Sequence, residues 1–410
     1  MKKFFILFYV KYNFTQVFTL LYMFTVAVIV ILCIMLVIYI ILRYIYGFWI
    51  KQPVFHAYDI TYYWYPNRVI DSNLPVKNRF TNFKDIQTYL IGEMTENKWA
   101  IFIEFIQTNF LKNKNNEFHP KLGNVLPYFK NSTKSMISFY TDPETTKVLS
   151  VMTSRPINSI IRDISIPMYY VDYLCVKKSH RKKGLAEQMI QTHHYNQRRL
   201  NKDIQVSLFK REGELTGIVP ITYYDCYGYF INKFLYSTAY NVNSKYSLVE
   251  IGKSNIIKFH DYIKQCQTLA RFLVFIYDNH SSILESISTK NIYIYMVVCR
   301  ETQQVMGMYC LKNSCVSIGT NEVITCYSSI KSPDTSEELF FYCFLDVLKK
   351  IQETSPTKYG ILAVERITDN SILCNKIHNY CRAFIKSPTA YFLYNYISIP
   401  VKSDRCVILL

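Results

Sequence analysis

No C-x-x-C pair occurs among the twelve cysteines, which are scattered from Cys33 to Cys406. That removes the usual spacing of a structural zinc site and of a regular disulfide framework, and it points to a reducing compartment. The eight histidines show no metal-ligand spacing either, and the adjacent His193 and His194 fall on different faces of a helix, as packing or surface residues do. G-x-S-x-G and Cys–His signatures are absent, so no hydrolase-type nucleophile is marked. No Pro/Gly-rich hinge and no long low-complexity linker interrupts the chain. Acids are scarce: 30 Asp and Glu against 47 Lys and Arg leave a net charge of +17. Phosphates, nucleic acid or lipid headgroups are therefore natural partners by charge. The basic residues are dispersed and no nucleic-acid motif is present, so nucleic acid is not expected as a partner. Three sequons, at Asn13, Asn131 and Asn279, carry little weight in an Asn-rich chain.

What is present begins with Val17 to Leu42, 26 residues without a charge. At about 1.5 Å per residue a helix of that length exceeds a hydrocarbon core of roughly 30 Å. The expected division is a short segment 1–16, a transmembrane helix 17–42 and a globular remainder. A cleaved signal peptide is the rival, but the apolar run is longer than an h-region and no A-x-A site follows. Lys2, Lys3 and Lys11 before the span and Arg43 and Lys51 after it lean only slightly towards a cytosolic N-terminus.

The remainder alternates strand-like and helix-like segments. Strands are expected near Val148, Met168, Ile292, Val305 and Tyr359, and helices over Leu185–Arg199, Ile256–Ile276 and Glu337–Glu353. Strands followed by a helix occur around 148–200 and again around 292–353. Two similar α+β halves, 44–235 and 236–410, are the expectation.

One junction is informative by itself. "MYYVDYLCVKKSHRKKGLAEQMI", Met168 to Ile190, runs from a strand through a basic turn into a helix. A helix N-terminus presents free N–H groups and partial positive charge, and Arg181, Lys182 and Lys183 add cations beside Gly184. A pyrophosphate suits such a turn, although a solvated basic turn reads the same way. The spacing R-x-x-G-x-A, Arg181 to Ala186, resembles the acyl-CoA signature of GNAT acetyltransferases. "DYLCVKKSHRKKGLAEQMI" resembles, more narrowly, the strand-loop-helix motif of N-myristoyltransferases. "YGFWIKQPVF", Tyr46 to Phe55, is similar to that family's aromatic entry segment, and "YFLYNYISIPVKSDRCVILL", Tyr391 to Leu410, to its C-terminal segment. Weaker similarity at Gly217 and Leu362 lies between, so the resemblance spans about residues 44–410.

The resemblance implies two tandem GNAT-like halves, the first for myristoyl-CoA and the second for most of a peptide groove. It implies transfer of myristate from the thioester to the N-terminal glycine amine of a protein, with no metal; acyl-CoA and reduced cysteines put the catalytic part in the cytosol, and the apolar run would anchor it beside a membrane. Leu410 would supply its terminal carboxylate as base, and the backbone amides of Tyr173 and Leu174 would form the oxyanion hole. Phe48, Trp49, Cys175, Val176, Arg181, Lys182, Lys183, Gly184, Leu185 and Ala186 would bind the cofactor. Asp172, Thr216, Tyr391 and Tyr394 would meet the substrate peptide.

Departures are equally specific. The family's glycine-rich element falls on "CRAFIKS", Cys381 to Ser387, which has neither glycine nor aspartate; its acidic run falls on "KNKNNE", Lys112 to Glu117. Asp172 stands for a strand asparagine and Glu187 for a proline. Two rivals follow: a membrane-anchored binding or scaffold protein that has lost catalysis, and an N-acyltransferase for another acyl-CoA.

Overall fold

The computed structural model describes residues 2–45, 47–111, 116–213, 217–236, 244–268 and 270–410. Two units emerge, Met1–Gln52 and Pro53–Leu410. In the first, helix α1 (Lys2–Ile45) contains Thr19–Ile41, a 23-residue stretch long and apolar enough to cross a membrane. A signal sequence has the same property. A 3-10 turn, Trp49–Lys51, follows, with the Phe48 and Trp49 rings edge to face at 5.1 Å.

The second unit begins with α2 (Ile60–Trp64), β1 (Arg68–Val69), β2 (Ile86–Leu90), α3 (Glu96–Asn109), β3 (Asn116–Phe118) and α4 (Leu122–Val125). Next come β4 (Met136–Thr141), β5 (Val148–Ile161), β6 (Ile164–Ser165), β7 (Met168–Val176), α5 (Leu185–Leu200), β8 (Val206–Glu212) and β9 (Thr222–Phe230). The later part holds β10 (Tyr246–Glu250), α6 (Ile256–Gln267), β11 (Val274–Tyr277), α7 (His280–Ser288), β12 (Ile292–Cys299), β13 (Val305–Ile318) and β14 (Asn321–Lys331). It closes with α8 (Glu337–Thr354), β15 (Tyr359–Glu365), α9 (Asn370–His378), β16 (Ile385–Tyr394), β17 (Tyr396–Ile397) and β18 (Cys406–Leu409).

The expected repetition is visible in the pairing. Antiparallel β4, β5 and β7 lead through α5 to β8, which lies parallel to β7. Antiparallel β12, β13 and β14 lead through α8 to β15, parallel to β14. A single sheet joins both, because β9 pairs with β15 and with β16, and β16 pairs with β8. The chain thus has a mixed α+β fold built on one large sheet.

Local sequence explains the helices. Ser336 caps α8 by accepting from the Leu339 N–H at 3.2 Å, and Glu337 and Glu338 occupy the positive first turn. Phe340, Phe344, Val347 and Ile351 then recur at helical spacing and are fully buried, so one stripe of α8 supplies a core face. The helix expected over Ile256–Ile276 ends instead at Gln267. Val274–Tyr277 joins β5 and β18, because pairing on both sides outweighs the helical periodicity of a four-residue apolar run.

Both α5 histidines are buried. His193 lies between the Ser138 and Ser154 hydroxyls at 2.7 and 2.8 Å, and His194 packs edge to face on Tyr394 at 4.7 Å. Burial pushes both down to about 3, from 6.5. Between those values the unfolded chain binds more protons than the folded one, so their contribution is complete above pH 6.5 and is lost as pH falls towards 3. Each histidine adds at most about 1.4 kcal/mol per pH unit to the slope. His193→Gln is expected to flatten the fall of the denaturation midpoint between pH 6.5 and 4.5; an unaltered slope would contradict this assignment.

Candidate active site

Strand β7 pairs in parallel with β8 over Met168–Val171 and Val206–Phe209, and its register with β8 ends there. Strand β8 continues along β16 to Glu212, so the two neighbours part at Asp172. On the other side the register with β5 slips: Val151 faces Cys175 while Thr153 faces Asp172. Met152 therefore stands opposite both Tyr173 and Leu174, which form a bulge. Tyr173 adopts φ 48°, a left-handed conformation that costs a bulky residue strain. Its ring is wedged among Phe102, Phe110 and Phe118 at 5.8, 5.7 and 6.5 Å. That aromatic packing holds the bulge open.

The Tyr173 N–H donates to Asp172 Oδ1 at 2.8 Å, so the side chain standing for an asparagine occupies one of the two expected oxyanion donors. Leu174 is exposed. Burial pushes the Cys175 thiol up to about 12, which makes it inert as a nucleophile.

The basic turn divides its labour. Arg181 donates through Nε to the Val176 carbonyl at 3.3 Å and through Nη2 to the Asn109 carbonyl, while the Lys178 N–H donates to Asn109 Oδ1 at 3.1 Å. Arg181 thus ties the turn to the end of α3. Lys182 and Lys183 are exposed. Gly184 caps α5 at φ 80°, and a Cβ there would meet nothing within 4 Å, so conformation rather than space calls for glycine. The first N–H groups of α5, from Leu185, Ala186 and Glu187, have no acceptor within the helix. Val176 lies one short turn upstream of them.

The last residue reaches the interior. Strand β18 lies parallel to β11, which pairs with the far end of β5, and Leu410 packs with Tyr170, Tyr391 and Ile408. The Asp278 N–H donates to the Leu409 carbonyl at 3.2 Å. Around it lies a group of ionised side chains that sequence reading missed. Arg155 Nε donates to Asp278 Oδ2 at 2.8 Å between the rings of Tyr128 and Tyr170, both partners only 3% exposed. Burial raises Asp278 above the usual carboxylate range although Arg155 opposes it. Lys210 Nζ donates to Glu365 Oε1 at 3.0 Å, and the Tyr224 hydroxyl donates to Oε2. Burial alone would raise Glu365, but Lys210 and Lys312 hold it below its usual value. Lys312 Nζ donates to Leu410 O at 3.4 Å.

Of the expected peptide contacts, Tyr391 joins this group opposite Lys210 in the β16–β8 pair. Tyr394 stands against His194 and the start of the unit, bridged to Val54. Thr216 and Lys112–Asn115 lie outside the described residues. Phe48 and Trp49 belong to the first unit and Asp172–Ala186 to the second. Among the described residues no three His, Cys, Asp or Glu side chains converge as a metal would require. Two of the missed residues carry a weak signal, a lone charge inside an otherwise apolar strand: Lys312 in "MYCLK" and Glu365 in "YGILAVE".

No protein-family model and no curated protein matches the sequence. Solved structures do. Saccharomyces cerevisiae N-myristoyltransferase with bound myristoyl-CoA superposes with TM-score 0.65 at 13% identity, over 87% of this chain and 94% of that one. A second structure of the same complex gives 0.68 at 13% identity, over 87% and 89%. A third, with myristoyl-CoA and inhibitors, gives 0.67 at 14%, over 87% and 91%. The chain therefore has the fold of N-myristoyltransferases.

Because both members of the Arg155–Asp278 pair are desolvated, removing one strands the other. Arg155→Met is expected to cost about 3–5 kcal/mol in chemical denaturation, and adding Asp278→Leu to restore most of it. A single variant within 1 kcal/mol of wild type, on the scale of an exposed pair, would show that water reaches the site.

Proposed function

We propose that the chain is a membrane-tethered acyl-CoA N-acyltransferase that moves myristate from myristoyl-CoA to the N-terminal glycine amine of proteins. The observation that supports it best is the parting of β7 from β8 at Asp172, beside the Tyr173 bulge and one turn from the N-terminus of α5. Backbone donors that would serve a thioester carbonyl and phosphates on this reading lie on one short segment. The Leu174 N–H would face the developing oxyanion, joined by the Tyr173 N–H when Asp172 releases it, and Lys182, Lys183 and the α5 N–H groups would face the CoA phosphates. A thioester needs no side-chain nucleophile. The acceptor nitrogen attacks the carbonyl, the C–N bond forms, the C–S bond breaks, and CoA leaves as the thiolate that takes up the proton. Leu410 would offer its carboxylate as the base that frees the glycine amine, whose ordinary pKa lies near 7.7–8.0. On this reading residues 44–235 form the acyl-CoA half and 236–410 the peptide half, α1 spans a membrane, and the second unit faces the cytosol.

A second reading, an acyl-CoA-binding protein without catalysis, draws support from the Tyr173 N–H already donated to Asp172. One experiment separates the two. The full chain in detergent is titrated with myristoyl-CoA and then assayed for transfer to glycine-initiated peptides, beside a variant with one glycine added after Leu410. Tight binding, with transfer abolished by the extension, is the expected result. Binding without transfer would select the second reading, and no binding would remove both. Lys182→Ala with Lys183→Ala is expected to weaken myristoyl-CoA several-fold, with a smaller loss at high salt; equal loss at all ionic strengths would argue against phosphate contact.

A further inference from the structure

The charges around Leu410 pair off unequally. Arg155 is committed to Asp278 at 2.8 Å, and Lys210 to Glu365 and Glu212 at 3.0 and 3.1 Å. Lys312, on β13, is directed at Leu410 O at 3.4 Å, with the Tyr327 ring 5.3 Å from its Nζ. Glu365, Asp172 and Glu212 attract it and Lys210 repels it. Its terminus is a primary ammonium, chemically the group that an N-terminal acceptor would bring to the same oxygen.

We propose that Lys312 is an internal occupant of the acceptor-amine position, so that an incoming amine binds by displacing its ammonium from Leu410. This rests on the reading of Leu410 as the terminal carboxylate that receives the acceptor. Two ammonium groups on one partly desolvated carboxylate repel each other, and the covalently attached one has the entropic advantage. Lys312 therefore sets the affinity for acceptors and favours those whose other contacts repay the displacement. Burial, which disfavours the charged form of Lys312, makes that displacement easier. Were Lys312 instead a fixed strut for the chain end, its removal would loosen Leu410 and weaken every function of the site.

The test uses the full chain and glycinamide as probe, with and without a non-transferable thioether analogue of myristoyl-CoA. Binding is compared for wild type, Lys312→Met and Lys312→Gln, with N-acetylglycinamide as the uncharged control. Both variants are expected to bind glycinamide about tenfold tighter, because the stranded carboxylate gains most from a new cation, while the acetylated control is unaffected. Equal or weaker glycinamide binding in a variant whose denaturation midpoint is retained would overturn the role of Lys312. Failure of the thioether analogue to bind any of the proteins would instead count against the proposed function, since the glycinamide comparison does not depend on it.

Discussion

A strand must send its N–H and C=O groups somewhere, and in β7 that requirement is suspended over a few residues. Up to Val171 both neighbours pair with it; beyond, β8 turns away to follow β16 and the β5 register slips. The bulge survives because Tyr173, held at φ 48°, buries its ring among three phenylalanines. Packing energy thus maintains an irregular backbone at the centre of the sheet. The turn and the α5 N-terminus follow directly, with Arg181 fastening the turn to α3 rather than projecting towards solvent.

The second constraint is that ionised groups enter the interior only in company. Arg155 with Asp278, and Lys210 with Glu365 and Tyr224, satisfy it in pairs drawn from distant parts of the chain. Strand β16, from the C-terminal part, sits between β9 and β8, and β18 sits beside β11. These exchanges bring Leu410 to side chains of β5, β13 and the β11–α7 junction. The crossed strands thereby gather buried charges from both ends of the chain into one region of the interior. The same strands bring Lys312 Nζ to Leu410 O at 3.4 Å.

Several features were legible in the amino-acid order itself. The uncharged run in α1, the strand from Met168 to Val176, the helix from Leu185 and the capped α8 all follow from local periodicity, charge and turn residues. The repeated strand-helix pattern was likewise visible, and the pairing of β7 with β8 and β14 with β15 gives it concrete form. The helix expected over Ile256–Ile276 overran into β11, because nothing local announces that Val274–Tyr277 will find two strand partners.

The site divides along the same line. Sequence alone determined the basic turn at the start of α5, since Arg181 to Ala186 are consecutive and a helix start needs no distant partner. Tertiary structure alone decided that Arg181 ties the turn to Asn109, that Tyr173 is pinned by rings from α3 and β3, and that Lys312 meets Leu410 across 98 positions. Contacts of that range depend on which strands become neighbours, and a lone lysine or glutamate in an apolar strand carries no mark of the partner that will neutralise it.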